Sequence, residues 1–245
     1  KDIDWKSSAR AGELLIKSYR AERRHTLAFV VPTGGSLASA ATLTHSKIDV
    51  VLATIGVLAW VACHQGDYVT VVAPGQDGPS VARPSYRDTQ IEHMLAGLDA
   101  GCRLEAPDPD LVELLDLTAS GLRRRCIVVV VLDDWDPRPA DIDALASLCA
   151  RHEVLAIEVS DLDLTDPALA AVPTRDHASG QPVPGFVARD RQVREQAVAA
   201  RQERARRRGH TLDRLGIIHE SVADVDDSIA AIVRLLERMR HASRH

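Results

Sequence analysis

The chain has 245 residues, 45% of them apolar, with 30 Lys and Arg against 35 Asp and Glu for a formal charge of -5. That length allows one large domain or two small ones, and that apolar share suffices for a buried core. Net negative charge and an aromatic content of 3% argue against a nucleic-acid binder, which needs basic tracts and stacking platforms.

Residues 27–31 are apolar and partly β-branched, which predicts a buried strand stopped by Pro32 and followed by the loop Pro32-Thr33-Gly34-Gly35-Ser36. Residues 47–64 predict a helix ending at Gln65-Gly66-Asp67. Its apolar run is shorter than the roughly 20 residues of a bilayer span, so the expectation is a central core helix and no membrane span in this chain. Residues 68–73 predict a second strand and 74–84 a Gly/Pro loop. Residues 88–100 predict a helix with Ile91, Met94, Leu95 and Leu98 on one face, and 109–122 another, with Asp108 or Asp110 at its start.

The clearest strand is 126–132, CIVVVVL, whose continuous β-branched run suits a parallel strand covered on both faces. A helix with proline in its first turn follows over 139–152, then a strand over 154–159. Residues 160–187 are loop-rich, with short strands expected near Val172 and Phe186 and a hairpin turn in DHASGQPVPG. A long polar helix over 190–208, a short strand over 216–219 and an amphipathic helix over 224–241 complete the chain. Strands and helices alternate throughout, which predicts an α/β protein built on one doubly wound, mostly parallel sheet. No repeat or linker divides it, so 1–245 is read as a single domain. Residues 1–25 form its lead-in, and residues 160–245 extend the core with the hairpin, Arg-rich helix, strand and terminal helix.

The chemistry-bearing motifs are sparse. The PTGGS loop lacks both the G-x-x-x-x-G-K-[ST] and G-x-G-x-x-G patterns and reads as a tight turn. Ser36 has no histidine tied to it by spacing and no G-x-S-x-G context. Asp133, Asp134 and Asp136 follow the strongest strand; such a cluster either holds Mg²⁺ or caps the next turn. The run of arginines from Arg201 to Arg208 is either a solvated helix face or a contact for an anionic partner. Cys63, Cys102, Cys126 and Cys149 lie far apart with no C-x-x-C pair, as buried thiols in a reducing compartment do. No signal peptide is visible, so a cytoplasmic location is expected, with an upstream membrane anchor left open by the start at Lys1.

The N-terminal segment is the most distinctive. Asp4-Trp5, a short spacer, Ala9-Arg10, a strand ending at Tyr19 and the pair Glu22-Arg23 form a signature. It resembles the bacterial domain-of-unknown-function family fifty-eight, whose members are von Willebrand factor A-like and typically encoded beside MoxR-type AAA+ ATPases. The resemblance implies a von Willebrand factor A-like (Rossmann-like) fold and work alongside such an ATPase; with no catalytic constellation in the sequence, the expectation is a non-enzymatic protein-interaction role with no catalytic residues.

It also implies a metal-ion-dependent adhesion loop of the form Asp-x-Ser-x-Ser, which falls on Pro32 to Ser36. There the acid is Pro32 and the first serine Gly34, leaving Ser36 and, from the later strand end, Asp134 as the candidate ligands. A hard divalent cation needs anionic or strongly polar oxygens, so no cofactor, or at most weakly bound Mg²⁺, is expected. Because ligands bind beyond the C-terminal ends of the strands in such sheets, the expected interaction face comprises the degenerate loop with Arg87, Asp88, Asp133, Asp134 and Asp136. The alternative reading is a metal-assisted phosphoryl hydrolase using Asp133, Asp134 and Asp136.

Overall fold

A computed structural model describes residues 2–3, 16–17, 24–75 and 78–242. The signature residues Asp4, Trp5, Ala9 and Arg10 lie outside the described residues. Strands β1 (Asp2–Ile3) and β2 (Ile16–Lys17) pair antiparallel in a two-stranded ribbon. The main sheet uses β3 (Thr26–Val30), β4 (Tyr68–Gly75), β5 (Gly78–Val81), β6 (Ile127–Leu132), β7 (Glu153–Val159) and β8 (Ile218–Val222). Its order is β5-β4-β3-β6-β7-β8, parallel throughout except for β5.

Helices cover both faces. On one side lie α2 (Lys47–His64), α3 (Asp88–Gly101) and α8 (Ser228–Ala242), packed on Phe29, Val71, Val129 and Ile157. On the other lie α4 (Leu111–Gly121), α5 (Pro139–Cys149) and the end of α7 (Arg191–Arg214), packed on Val30, Val72, Val128 and Val130. A single turn, α1 (Gly35–Ala38), follows β3, and another, α6 (Phe186–Arg189), precedes α7. The β-branched run of β6 is buried because both of its faces are roofed by helices.

α2 is the helix that the apolar run predicts. Ser46 caps it by accepting from the Asp49 backbone N–H, while the Asp49 carboxylate accepts from that of Ser46. With a mean hydropathy of 1.6 it is long and apolar enough to cross a membrane, and half of it is buried within this fold. Val50, Val51, Ile55 and Ala59 are its innermost side chains.

Three expectations are corrected. The 74–84 loop is instead the end of β4 turning into β5, with Gly78 at φ +108 and Pro74 opposite Pro79. Pro79 is tolerated because β5 is an edge strand, and Pro74 because β4 has by then run past its pairing with β3, which ends at Val72. The strands expected near Val172 and Phe186 do not form. Residues Pro167–Ala171 make a 3₁₀ turn and Phe186 opens α6; only Arg175 and Pro182 bridge. This segment is anchored instead by the buried Leu169 and Ala188. Finally, α7 continues through Gly209 to Arg214, because the fully buried Leu212 ties its last turns to the sheet.

Candidate functional site

The chain leaves β3 on one side to build β4 and returns on the other to build β6, so the crevice beyond the C-terminal ends of β3 and β6 is the sheet's switch point. Ser36 follows β3, Asp133 follows β6, Asp161 follows β7, and Lys47 is the first residue of α2. All four converge. Ser36 Oγ donates to Asp133 Oδ2. Lys47 Nζ lies 3.2 Å from Ser36 Oγ, 3.3 Å from Asp133 Oδ2 and 2.5 Å from Asp161 Oδ1. The Lys47 side chain is 3% exposed, against 27% for Asp133 and 40% for Asp161. An ammonium has three donors, and here each has an oxygen.

The PTGGS loop is closed from above by residues 104–108. Gly35 N–H donates to the Ala106 carbonyl at 3.1 Å, and Ser36 N–H to Asp108 Oδ1 at 2.7 Å. This approach explains both glycines. A Cβ on Gly34 would lie 2.7 Å from Asp108 Oδ1 and 2.9 Å from the Pro107 carbonyl. A Cβ on Gly35 would run into the His177 ring and lie 2.8 Å from the Leu104 carbonyl. Gly34→Ser therefore overpacks the loop against backbone rather than supplying a free hydroxyl. We expect it to destabilise the fold by about 2 kcal/mol, read as a lower urea midpoint with an unchanged m-value.

The three acids after β6 face three separate sets of partners and do not converge. Asp133 meets Ser36 and Lys47. Asp134, the candidate ligand named by the resemblance, turns away to Arg208, at 2.6 Å, and Arg204, at 3.4 Å. Asp136 is 75% exposed and 4.0 Å from Arg207. No group of three or more His, Cys, Asp or Glu side chains suited to a metal occurs among the described residues. Beside them an open cleft of about 660 Å³ is lined by Pro32, Asp108, Asp110, Trp135, Asp136 and Arg138, among others. Its floor is Asp141, which accepts from Trp135 Nε1 at 3.1 Å and from the Arg138 guanidinium at 2.6 Å. Burial alone would raise the Asp141 carboxyl; the Arg138 and Trp135 hydrogen bonds outweigh it and hold it below the usual range.

The arginine run of α7 is neither a solvated face throughout nor left wholly for a partner. Arg201, Arg204 and Arg208 lie on Asp163, Asp134 and Glu158 of this same chain. Glu158 Oε2 accepts from Arg208 at 3.1 Å, and its Oε1 lies 2.9 Å from His219 Nδ1. Burial would raise Glu158, but His219 and Arg208 bring it below its ordinary 4.5. The hydrogen bond to Glu158 raises His219 above its ordinary 6.5, against a smaller opposing effect of burial.

The His219 contribution to stability is therefore complete below about pH 6.5 and is lost as pH rises through the elevated folded value. His219→Gln should flatten the fall in melting temperature of the wild type across that window. An identical pH slope in both proteins would contradict it.

Arg87 and Asp88 do not join this face. β5 carries the chain back to the start of β4, where Ser85 bridges Val69 and the Tyr86 ring packs edge-on against Tyr68, 5.6 Å between centroids. They sit at the opposite, N-terminal ends of the strands. Sequence reasoning missed Lys47, Asp161, Asp108, Glu158 and His219. A signal for Lys47 was available. It is the only lysine after Lys17 in a chain that otherwise uses arginine, and it opens a helix, where the dipole disfavours a cation. The four cysteines are free, and burial pushes their thiols up, Cys102 to about 11.

No curated protein matches the chain. Among solved structures, it is similar to an aerotolerance-related membrane protein from Bacteroides fragilis, at 13% identity and TM-score 0.50, over 87% of this chain and 99% of that one. A von Willebrand factor type A protein from Catenulispora acidiphila aligns at 15% identity and TM-score 0.40, over 64% of this chain and 40% of that one. An uncharacterised membrane-spanning protein from Vibrio fischeri aligns at 14% identity and TM-score 0.31, over 88% and 98%. At these identities only the first bears on the argument, and on fold alone. The sheet is doubly wound and mostly parallel, as the alternating pattern of the sequence predicts, and the likeness to the first of these structures is one of fold. The profile of the "Protein of unknown function DUF58" family matches residues 1–207, and the chain belongs to that family.

Proposed function

We propose that the protein is a non-enzymatic, cytoplasmic interaction module that works with a MoxR-type AAA+ ATPase, the partner suggested by the family resemblance. It docks through the loop face at the C-terminal ends of β3 and β6. The observation that carries this reading is the pairing of the acids at the switch point. Asp133, Asp134, Asp141 and Glu158 are each held by cations of the same chain, which favours a structural over a catalytic use of these four acids. Around that cleft, Asp110, Trp135 and Asp136 supply a polar rim with an aromatic side chain, a composition suited to a protein partner.

Co-purification of the tagged chain with the ATPase, in nucleotide-bound and nucleotide-free states, tests the reading. Wild type should retain the ATPase. Asp136→Lys, at an exposed cleft position, should lose most of it, and Arg87→Glu, at the far end of the sheet, should not. No retention in either state, or equal loss from both variants, would count against this face.

A further inference from the structure

We infer that Lys47 is the resident cation of this loop face: its ammonium takes the place that a divalent metal would otherwise fill, so the native protein neither needs nor holds a metal there. The observations are geometric. Oxygens from three separate strand ends, Ser36 Oγ, Asp133 Oδ2 and Asp161 Oδ1, surround one point, and Lys47 Nζ sits at it with all three within 3.3 Å. The ammonium is almost wholly withdrawn from solvent.

The residues do not fit the Mg²⁺ that the family resemblance implies. Pro32 and Gly34 bring no side-chain oxygen. A serine at 34 would strike Asp108 and the Pro107 carbonyl, and Asp134 is engaged by Arg208 and Arg204. A divalent ion at the Lys47 position would also put two positive groups into one small, partly buried site, which two carboxylates cannot offset. Emptied of the ammonium, however, the same three oxygens form a partial hard-cation shell with two negative charges. The lysine is thus what separates the native face from a metal-binding one.

Two measurements test this independently of any ATPase. In the first, lysine ammonium resonances of the wild-type protein are followed by NMR, the assignment simplified by only four lysines in the chain. The Lys47 ammonium should exchange slowly and stay unmoved as Mg²⁺ is raised to several millimolar, roughly the weak end of protein Ca²⁺ affinities. A rapidly exchanging ammonium, or one displaced by Mg²⁺, overturns the inference. In the second, calorimetric titration with Mn²⁺ compares wild type with Lys47→Ala. The variant should bind one Mn²⁺ at least about tenfold more tightly than wild type, and Asp133→Asn in the same background should abolish the gain. Equal Mn²⁺ binding by wild type and variant overturns it too. If Lys47→Ala does not fold, the NMR result decides alone.

Discussion

Lys47→Met should lower unfolding stability by about 3 kcal/mol, near the lower end of the range for breaking a buried ion pair from one side. Methionine keeps the length and most of the apolar stem, so little of that loss comes from packing. The cost arises because Asp133 and Asp161 remain close together at the switch point with no cation between them. Asp161 is 40% exposed and can turn toward water, which keeps the loss below that of a fully enclosed pair. The diagnostic is a double-mutant cycle. Asp133→Asn alone should also destabilise, but Lys47→Met with Asp133→Asn should lose clearly less than the two single losses added together. Urea unfolding of the four proteins checks this, and strict additivity would mean that Lys47 and Asp133 do not act as a pair.

The second large effect is expected at Arg208. Its guanidinium joins Glu158 of β7 to Asp134 of the β6 loop, and both it and Glu158 have side chains 11% exposed. Arg208→Met should cost about 3 kcal/mol, because Glu158 is left with His219 alone in a buried setting. The loss should also be local. Residues 201–214 pack on the sheet chiefly through Leu212 and these ion pairs, so amide exchange there should accelerate more than in α2 or β6. Uniform acceleration across the sheet, or a loss within experimental error of zero, would contradict the assignment.

Much of the fold is legible in the sequence because hydrophobic burial writes it in period. The run CIVVVVL has to be a strand roofed on both sides, and the alternation of such runs with amphipathic helices leaves a doubly wound sheet as the economical arrangement. What escapes this reading is set by geometry between distant segments. The edge strand β5 is hidden by Gly78, Pro74 and Pro79, residues that usually mark loops. The length of α7 is hidden because Gly209 weakens the local signal while a single side chain, Leu212, anchors the rest.

The site follows the same division. The placing of Ser36 beside the acids after β6 is readable from strand order, but which acid meets it is not. A one-residue step along the loop turns Asp133 toward Ser36 and Asp134 toward Arg208. The pairing of α7 arginines with Asp134, Glu158 and Asp163 depends on contacts 38 to 74 residues apart, and no spacing rule announces them. Arg87 and Asp88 show the converse error. Their place just before α3 suggests a C-terminal loop until β5 reverses the chain.

The proposed partner face, completed by Lys47 rather than by a metal ion, is open to a direct test. The most direct measurement is calorimetric titration of the wild-type chain with nucleotide-free MoxR-type AAA+ ATPase, once in EDTA and once in Mg²⁺. Saturable binding is expected, with a Kd that agrees within about twofold between the two conditions, because Lys47 and not a divalent ion would complete the interface. Binding seen only in Mg²⁺ would contradict the role of Lys47, and no binding in either condition would contradict the ATPase partnership itself.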